Sequence, residues 1–435
     1  MVFLKHFKKS QTHESITSSS PTPPANEIKD STSYVNNPSK GKRTCIYYSN
    51  WSIYERKHYP NDIPLDYVTN IFFAFANINS DTGNVYSSDE WADFNYELDP
   101  LPNYNNDGGK IKGLFGKFIE IKTKYPHIKT SLSIGGWSNR DNFTNGLNTT
   151  KKLDEFINST LNLIFKYKFD GIDLDWEYPN NIEEANIYLK LIKLFRIQLR
   201  NLEEKLCLHK DTLLLTIASP AFDDKLSIFP IQQMDKYLSF WNLMTYDFSG
   251  EWSETCGYHC NLYKKHSINN NYNNCENNVD ELCGDDAINY LISKGVPSNK
   301  IILGMANYGR SFINTKGYGE KFKGVGKGSS DEDGIWNYKY LPGKFKEHYD
   351  SNAVVAYIYD SNAKLFISYD NVESIKTKAQ YVKRNNLGGG MWWESCGDSY
   401  QDPKRCLLIN FVEELGGLND LDKSLNILSM VGNKK

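Results

Sequence analysis

The first forty or so residues show no sustained apolar period. Serine, threonine, proline, lysine and asparagine dominate them, as in SSSPTPP at 18–24. Such a segment buries too little apolar area to offset the entropy of ordering, so residues 1–43 are expected to be a disordered tail. From residue 44 the pattern changes. Eight short β-rich apolar runs follow: TCIYYSNW (44–51), VTNIFFAFANI (68–78), KTSLSIGGW (129–137), FDGIDLDWEY (169–178), TLLLTIASP (212–220), FWNLMTYDF (240–248), KIILGMANYG (300–309) and LGGGMWWE (387–394). Between several of them apolar positions recur at i, i+3, i+4 and i+7, as in KKLDEFINSTLNLIFKYK (151–168) and IEEANIYLKLIKLFRIQLRNLEEKL (182–206), which predicts amphipathic helices. Strands alternating with helices predict an α/β fold with a parallel sheet, and a count of eight predicts a (β/α)8 TIM barrel.

The interval between the seventh and eighth runs is too long for one helix. Residues 311–380 hold Gly-rich turns and short aromatic strands such as AVVAYIYD (353–360). They read as an α+β insertion domain after strand 7, within a barrel spanning 44–415 and followed by a short tail, 416–435. Loops after barrel strands carry the chemistry, so this insertion would wall the active face.

Composition narrows the function classes. Lys and Arg number 50 against 53 Asp and Glu, a formal net charge of −3, so a basic footprint for nucleic acid is missing, as is a polybasic membrane patch. No apolar run approaches the ~20 residues of a membrane span. The opening MVFLKHFKKS is too short in apolar residues for a signal-peptide core of ~7–15, which argues against classical secretion. With 29 Tyr and 9 Trp, rings with a polar tip are abundant, and these suit half-wet surfaces. Of the eight cysteines (Cys45, Cys207, Cys256, Cys260, Cys275, Cys283, Cys396 and Cys406), four crowd into the Asn-rich stretch 256–283. One or two disulfides are expected there; the competing zinc reading lacks the C-x2-C spacing.

The sharpest feature is DGIDLDWEYP at 170–179. Residues two apart share a strand face, so Asp173, Asp175 and Glu177 line one side and Ile172, Leu174 and Trp176 the other. Like charges ~6–7 Å apart in a barrel interior repel, so at least one should be protonated. Glu177, at the C-terminal end, is the natural general acid with a raised pKa. A divalent-metal site is the rival reading, since hard cations take carboxylates, but no His or Asn cluster nearby completes it.

These residues carry a resemblance. DGIDLDWEYP matches the DxxDxDxE signature of the family 18 glycoside hydrolases, the chitinases, at Asp170, Asp173, Asp175 and Glu177. SLSIGGW at 131–137 resembles the family's SxGG signature through Ser133, Gly135 and Gly136. NLMTYDF (242–248), GMANYGRSF (304–312) and LGGGMWWE (387–394) resemble its sixth-, seventh- and eighth-strand motifs. The resemblance spans about residues 44–415 and is nearest to fungal endochitinases. It implies chitin or chitooligosaccharides as partner, no cofactor and no metal, and a retaining, substrate-assisted mechanism. Glu177 would protonate the glycosidic oxygen. Asp175 would orient the substrate's acetamido N–H, Asp173 would share a proton with Asp175, and Tyr246 would bond the acetamido oxygen. Substrate contacts carried over are Tyr48, Trp51, Phe75, Trp137, Tyr178, Met244, Asp247, Trp252, Tyr308, Arg310 and Trp393, with Trp392 turned to the core. A monomer is expected. The substrate argues for an extracellular or wall site, although no secretory signal is visible. The alternatives are an endo-β-N-acetylglucosaminidase on N-glycans and a non-cutting chitinase-like lectin; members of the latter kind typically lack the acid that Glu177 supplies.

Overall fold

The computed structural model describes residues 41–102, 111–265 and 281–432. The expected tail, up to residue 40, lies outside them, as do Cys275 and residues 266–280 of the Asn-rich stretch. Eight parallel strands form a closed barrel: β1 (Arg43–Ser49), β2 (Asn70–Ile78), β3 (Lys129–Gly135), β4 (Gly171–Asp175), β5 (Leu214–Ser219), β6 (Phe240–Leu243), β7 (Ile301–Ala306) and β8 (Gly389–Trp393). Pairing of β1 with both β2 and β8 closes the sheet.

Strand alternation divides the apolar residues into two cores. Cys45, Tyr47, Phe72, Ile302 and Met391 point inward. Ile46, Tyr48, Leu132, Leu174 and Trp392 point outward, under the surrounding helices. Helix starts follow local capping chemistry: the Thr149 side chain accepts from Lys152 N ahead of Thr150–Lys166, and Asn181 accepts from Glu184 N ahead of Ile182–Lys205. These caps satisfy N–H groups that a helix's first turn leaves unpaired.

The run KIILGMANYG is not one strand. β7 stops at Ala306, and Asn307 is pinned across the barrel by N–H donation to the Trp393 carbonyl and Nδ2 donation to the Glu394 carbonyl. The chain then reverses into a five-stranded antiparallel sheet. Its spatial order is Ile335–Asn337, Tyr308–Ile313, Leu365–Tyr369, Val355–Asp360 and Glu347–Asp350. The sheet therefore starts at Tyr308, which brings Tyr308 and Arg310 to the C-terminal mouth of the barrel. Helix Val372–Arg384 leads back to β8.

Two further expectations change. Residues 416–432 are packed rather than trailing: Asn426 Nδ2 donates to the Lys122 and Ile128 carbonyls, and Ile427 N donates to Asp170. Cys256, Cys260 and Cys283 are buried free thiols, not a disulfide staple; Cys256 instead meets the Thr315 hydroxyl at 3.0 Å. Buried thiols of this kind behave as small apolar side chains. Among the described residues, no helix is long and apolar enough to cross a membrane.

Candidate active site

β4 carries the acids because its alternation is strict. Ile172 and Leu174 enter the outer core with Trp176, which stacks on Phe143 at 5.1 Å and 6°. Asp173 and Asp175 face the barrel interior. Asp173 sits where donors from four other strands converge. Its Oδ2 accepts from the hydroxyls of Tyr47 (2.8 Å) and Ser133 (2.7 Å); its Oδ1 accepts from Thr216 Oγ1 (2.6 Å) and Asn242 Nδ2 (3.2 Å). Ser133 and Thr216 are its register neighbours on β3 and β5. Burial pushes this carboxyl up, and the four donors pull it back. They also fill the sites that a metal would need.

Asp175, two residues on, is treated differently. It is 3 % exposed and its Oδ1 has no hydrogen-bond partner. Burial first, then the charges of Glu177 and Asp173, raise it well above the carboxylate range. Asp175 is thus the acid on which a negative charge is least favoured in the unliganded protein. The Asp173 charge is one of the causes that raise the Asp175 pKa. The close fit at this point needs Gly135 (φ +122°), where a Cβ would lie 2.1 Å from the Asp175 carbonyl oxygen.

The strand ends at Asp175, so Glu177 stands in the loop beyond it, half-buried. Burial and the nearby Asp247 charge push its pKa up to about 7, against the pull of Tyr178, the Trp137 backbone and Arg140. Asp247 itself stays below the usual carboxylate range. Burial would raise it, but the Arg310 guanidinium outweighs that, and the Tyr308 hydroxyl adds to the pull. Both donate to its Oδ1, from Arg310 Nε at 2.5 Å and Tyr308 Oη at 2.6 Å. A permanent anion beside Glu177 thus helps keep that acid protonated.

β6 ends at Leu243, earlier than the apolar run suggested, because 244–248 leave the sheet to present side chains into the mouth; Asp247 adopts φ +60°. The Tyr246 hydroxyl touches only Met391 sulfur, at 3.7 Å, among the described residues. It is 6 % exposed, a donor without a strong acceptor. Met244 lies beside it in the inner core. Flat rings complete the cleft. Phe75 stacks on Trp393 (5.6 Å, 19°), and Trp51 lies 6.2 Å from Phe75. Trp137 and Trp252 are 60 % and 58 % exposed, each backed by a guanidinium: Arg140 at 4.3 Å and Arg310 at 4.7 Å.

The profile of glycosyl hydrolases family 18 matches residues 43–398, which contain all of these groups. The chain belongs to that family. Similar curated proteins include sporulation-specific chitinase 2 of Saccharomyces cerevisiae, 42 % identical over 85 % of this chain and 77 % of that one. Endochitinase 1 of Metarhizium robertsii is 36 % identical over 89 % of this chain and 88 % of its own. Among solved structures, chitinase ChiA74 of Bacillus thuringiensis superposes with a TM-score of 0.74 at 28 % identity, covering 87 % of this chain and 70 % of that one.

Within this family 18 glycosidase, Tyr48 is the expected contact that the fold moves out of the cleft. It is fully buried on the outer face of β1, its hydroxyl donating to the His58 carbonyl and its ring edge-on to Phe118. Period-two alternation sends the adjacent Tyr47 inward instead, to Asp173. Tyr178 stays at the mouth, half-buried, 6.2 Å from Phe222. Tyr47, Thr216, Asn242 and His259 were missed in the sequence. For Thr216 and Asn242 a signal existed: each is an isolated polar residue in an apolar strand, and buried polar groups need partners. His259, distant in sequence from any motif, lies behind Asp247, its Nδ1 3.8 Å from that carboxylate. Burial lowers its pKa to about 3, so it is neutral.

Proposed function

We propose that the protein is a chitinase that cuts β-1,4-linked N-acetylglucosamine chains with retention of configuration. The observation that carries this reading is the unequal treatment of three neighbouring acids: Asp173 saturated with donors, Asp175 buried without a partner, and Glu177 poised near neutrality. A sugar bound across Trp393 would place its glycosidic oxygen at Glu177, which donates its proton as the bond to the anomeric carbon breaks. The carbonyl oxygen of the same sugar's 2-acetamido group attacks that carbon, giving an oxazolinium. Asp175 accepts from the acetamido N–H, and the Tyr246 hydroxyl, left without a strong acceptor, donates to the acetamido oxygen. Water, deprotonated by Glu177, then attacks the anomeric carbon from the face the leaving group vacated, and the acetamido group re-forms. No carboxylate has to act as nucleophile, which accounts for three acids on one strand and the residues after it. The exposed, guanidinium-backed Trp137 and Trp252 offer platforms for sugars on the leaving side.

Product analysis tests this. Incubation with defined chitin oligomers should release shorter oligomers whose first-formed anomer is β. Cleavage of N-glycans with chitin oligomers left intact would reverse the substrate assignment, and binding of oligomers without any cleavage would reverse the enzymatic one.

A further inference from the structure

At the opposite end of the barrel a cavity of about 580 Å³ opens among the segments that lead into the strands. Arg43 begins β1, Ser239 precedes β6, Lys300 precedes β7 and Gly388 precedes β8, and all of them line it. This N-terminal mouth of a (β/α)8 barrel ordinarily serves stability alone. Here it concentrates positive charge: Lys42, Arg43, Lys300 and Lys383 line the cavity, against Asp420 as its acid.

Three of the four cations are engaged. Lys42 Nζ donates to the Leu387 carbonyl (2.7 Å) and Asn386 Oδ1 (3.1 Å). Lys300 is paired with Asp235 at 2.7 Å, and Lys383 reaches the Glu414 carbonyl at 3.4 Å. Arg43 differs. It is 5 % exposed, yet its guanidinium makes no hydrogen bond or ion pair with any described residue. It lies over the Phe240 ring, 4.7 Å from the centroid. Asp422, the acid whose field reaches it, is committed to Lys129 at 3.7 Å. A buried charge without a partner is strongly unfavourable. A guanidinium cannot escape by losing its proton, so its charge has to be met from the cavity, by water or, more strongly, by a counter-ion.

We propose that this cavity binds a small multivalent oxyanion, bearing phosphate or carboxylate groups, with one group forked onto Arg43 and the rest directed toward Lys42 and Lys383. The planar fork of a guanidinium matches either group bidentately. The volume exceeds that of a single inorganic phosphate and falls within the range of small-molecule sites. This inference is independent of the chemistry at the other mouth.

Thermal unfolding of the full chain at constant ionic strength tests it, with sodium chloride compared against inorganic phosphate, pyrophosphate and citrate. At least one of the three should raise the Tm of the wild type by about 3 °C or more. The same anion should leave Arg43→Met unmoved. In chloride alone Arg43→Met should be no less stable than the wild type, because an unpaired charge has been replaced by an apolar chain. Lys383→Ala, at the cavity rim, should retain its fold and show a reduced shift. Calorimetric titration with the active anion should give one site per chain. A preference for pyrophosphate or for citrate distinguishes phosphate from carboxylate chemistry. Equal shifts in all three proteins would reveal a general salt effect and overturn the proposal. So would the absence of any shift, including the case in which a carboxylate from residues 1–40 already sits on Arg43; Arg43→Met would then be clearly destabilised in chloride.

Discussion

At the C-terminal mouth of the barrel, three carboxylates crowd onto the end of β4 and the loop beyond it; at the N-terminal mouth, one guanidinium lies over Phe240 with no acceptor among the described residues. Both regions bury charge, and the responses differ because the chemistry of the groups differs. A carboxylate has two ways out of low dielectric. It can collect donors, as Asp173 does from β1, β3, β5 and β6, or its pKa can rise, the direction in which burial and its acidic neighbours push Asp175, whose Oδ1 has no partner. Glu177, pushed to about 7, stands between these outcomes, and that makes it useful for giving a proton and taking it back. Arginine has neither a usable neutral form nor, at Arg43, an acceptor among the described residues. The same physical penalty thus produces a proton-transfer device at one mouth and a demand for an external anion at the other.

Removing the exchangeable proton breaks the comparison most severely. Glu177→Gln should lower turnover of chitin oligomers by about 10³-fold or more, while calorimetric binding of those oligomers persists. Asp175→Asn keeps shape but loses the negative charge available in the transition state. A loss of about 10² in kcat is expected, with KM little changed. Asp173→Ala tests the donor-saturated solution. It strands Tyr47, Ser133, Thr216 and Asn242 without an acceptor, and denaturant unfolding should show a stability loss on the order of 3 kcal/mol.

Two smaller effects sharpen the picture. Glu177 donates from its protonated form, so kcat/KM should fall as pH rises through about 7. Asp247→Asn removes the anion that helps hold that proton, and the alkaline limb of the pH profile should therefore move to lower pH; an unmoved limb would separate Asp247 from the acid. Trp252→Ala deletes a ring that is 58 % exposed. It should raise KM for long oligomers about fivefold, roughly 1 kcal/mol, with kcat nearly unchanged.

Much of this was legible in the chain. The eight strands and the helices at 150–166 and 182–205 follow from apolar periods of two and 3.6, which are local properties. The paired faces of DGIDLDWEYP follow from alternation alone, and the motif resemblance extended them to Tyr246, Asp247 and Trp393. Tyr48 marks the limit. Two tyrosines stand side by side in TCIYYSNW, and the local pattern suits either one pointing inward. The cysteine cluster failed for a similar reason, since spacing along the chain does not say whether two thiols meet in space.

The sequence by itself determined the order of elements, the acidic face of β4 and the kind of residue at each position. Only the tertiary structure decided which charges found partners. Tyr47 and Asp173 meet across 126 positions, and Arg43 has no acceptor among the described residues because Asp422, the acid whose charge reaches it, is spent on Lys129. Pairing and desolvation depend on groups brought together by closure of the barrel, and they set the protonation states on which the chemistry rests.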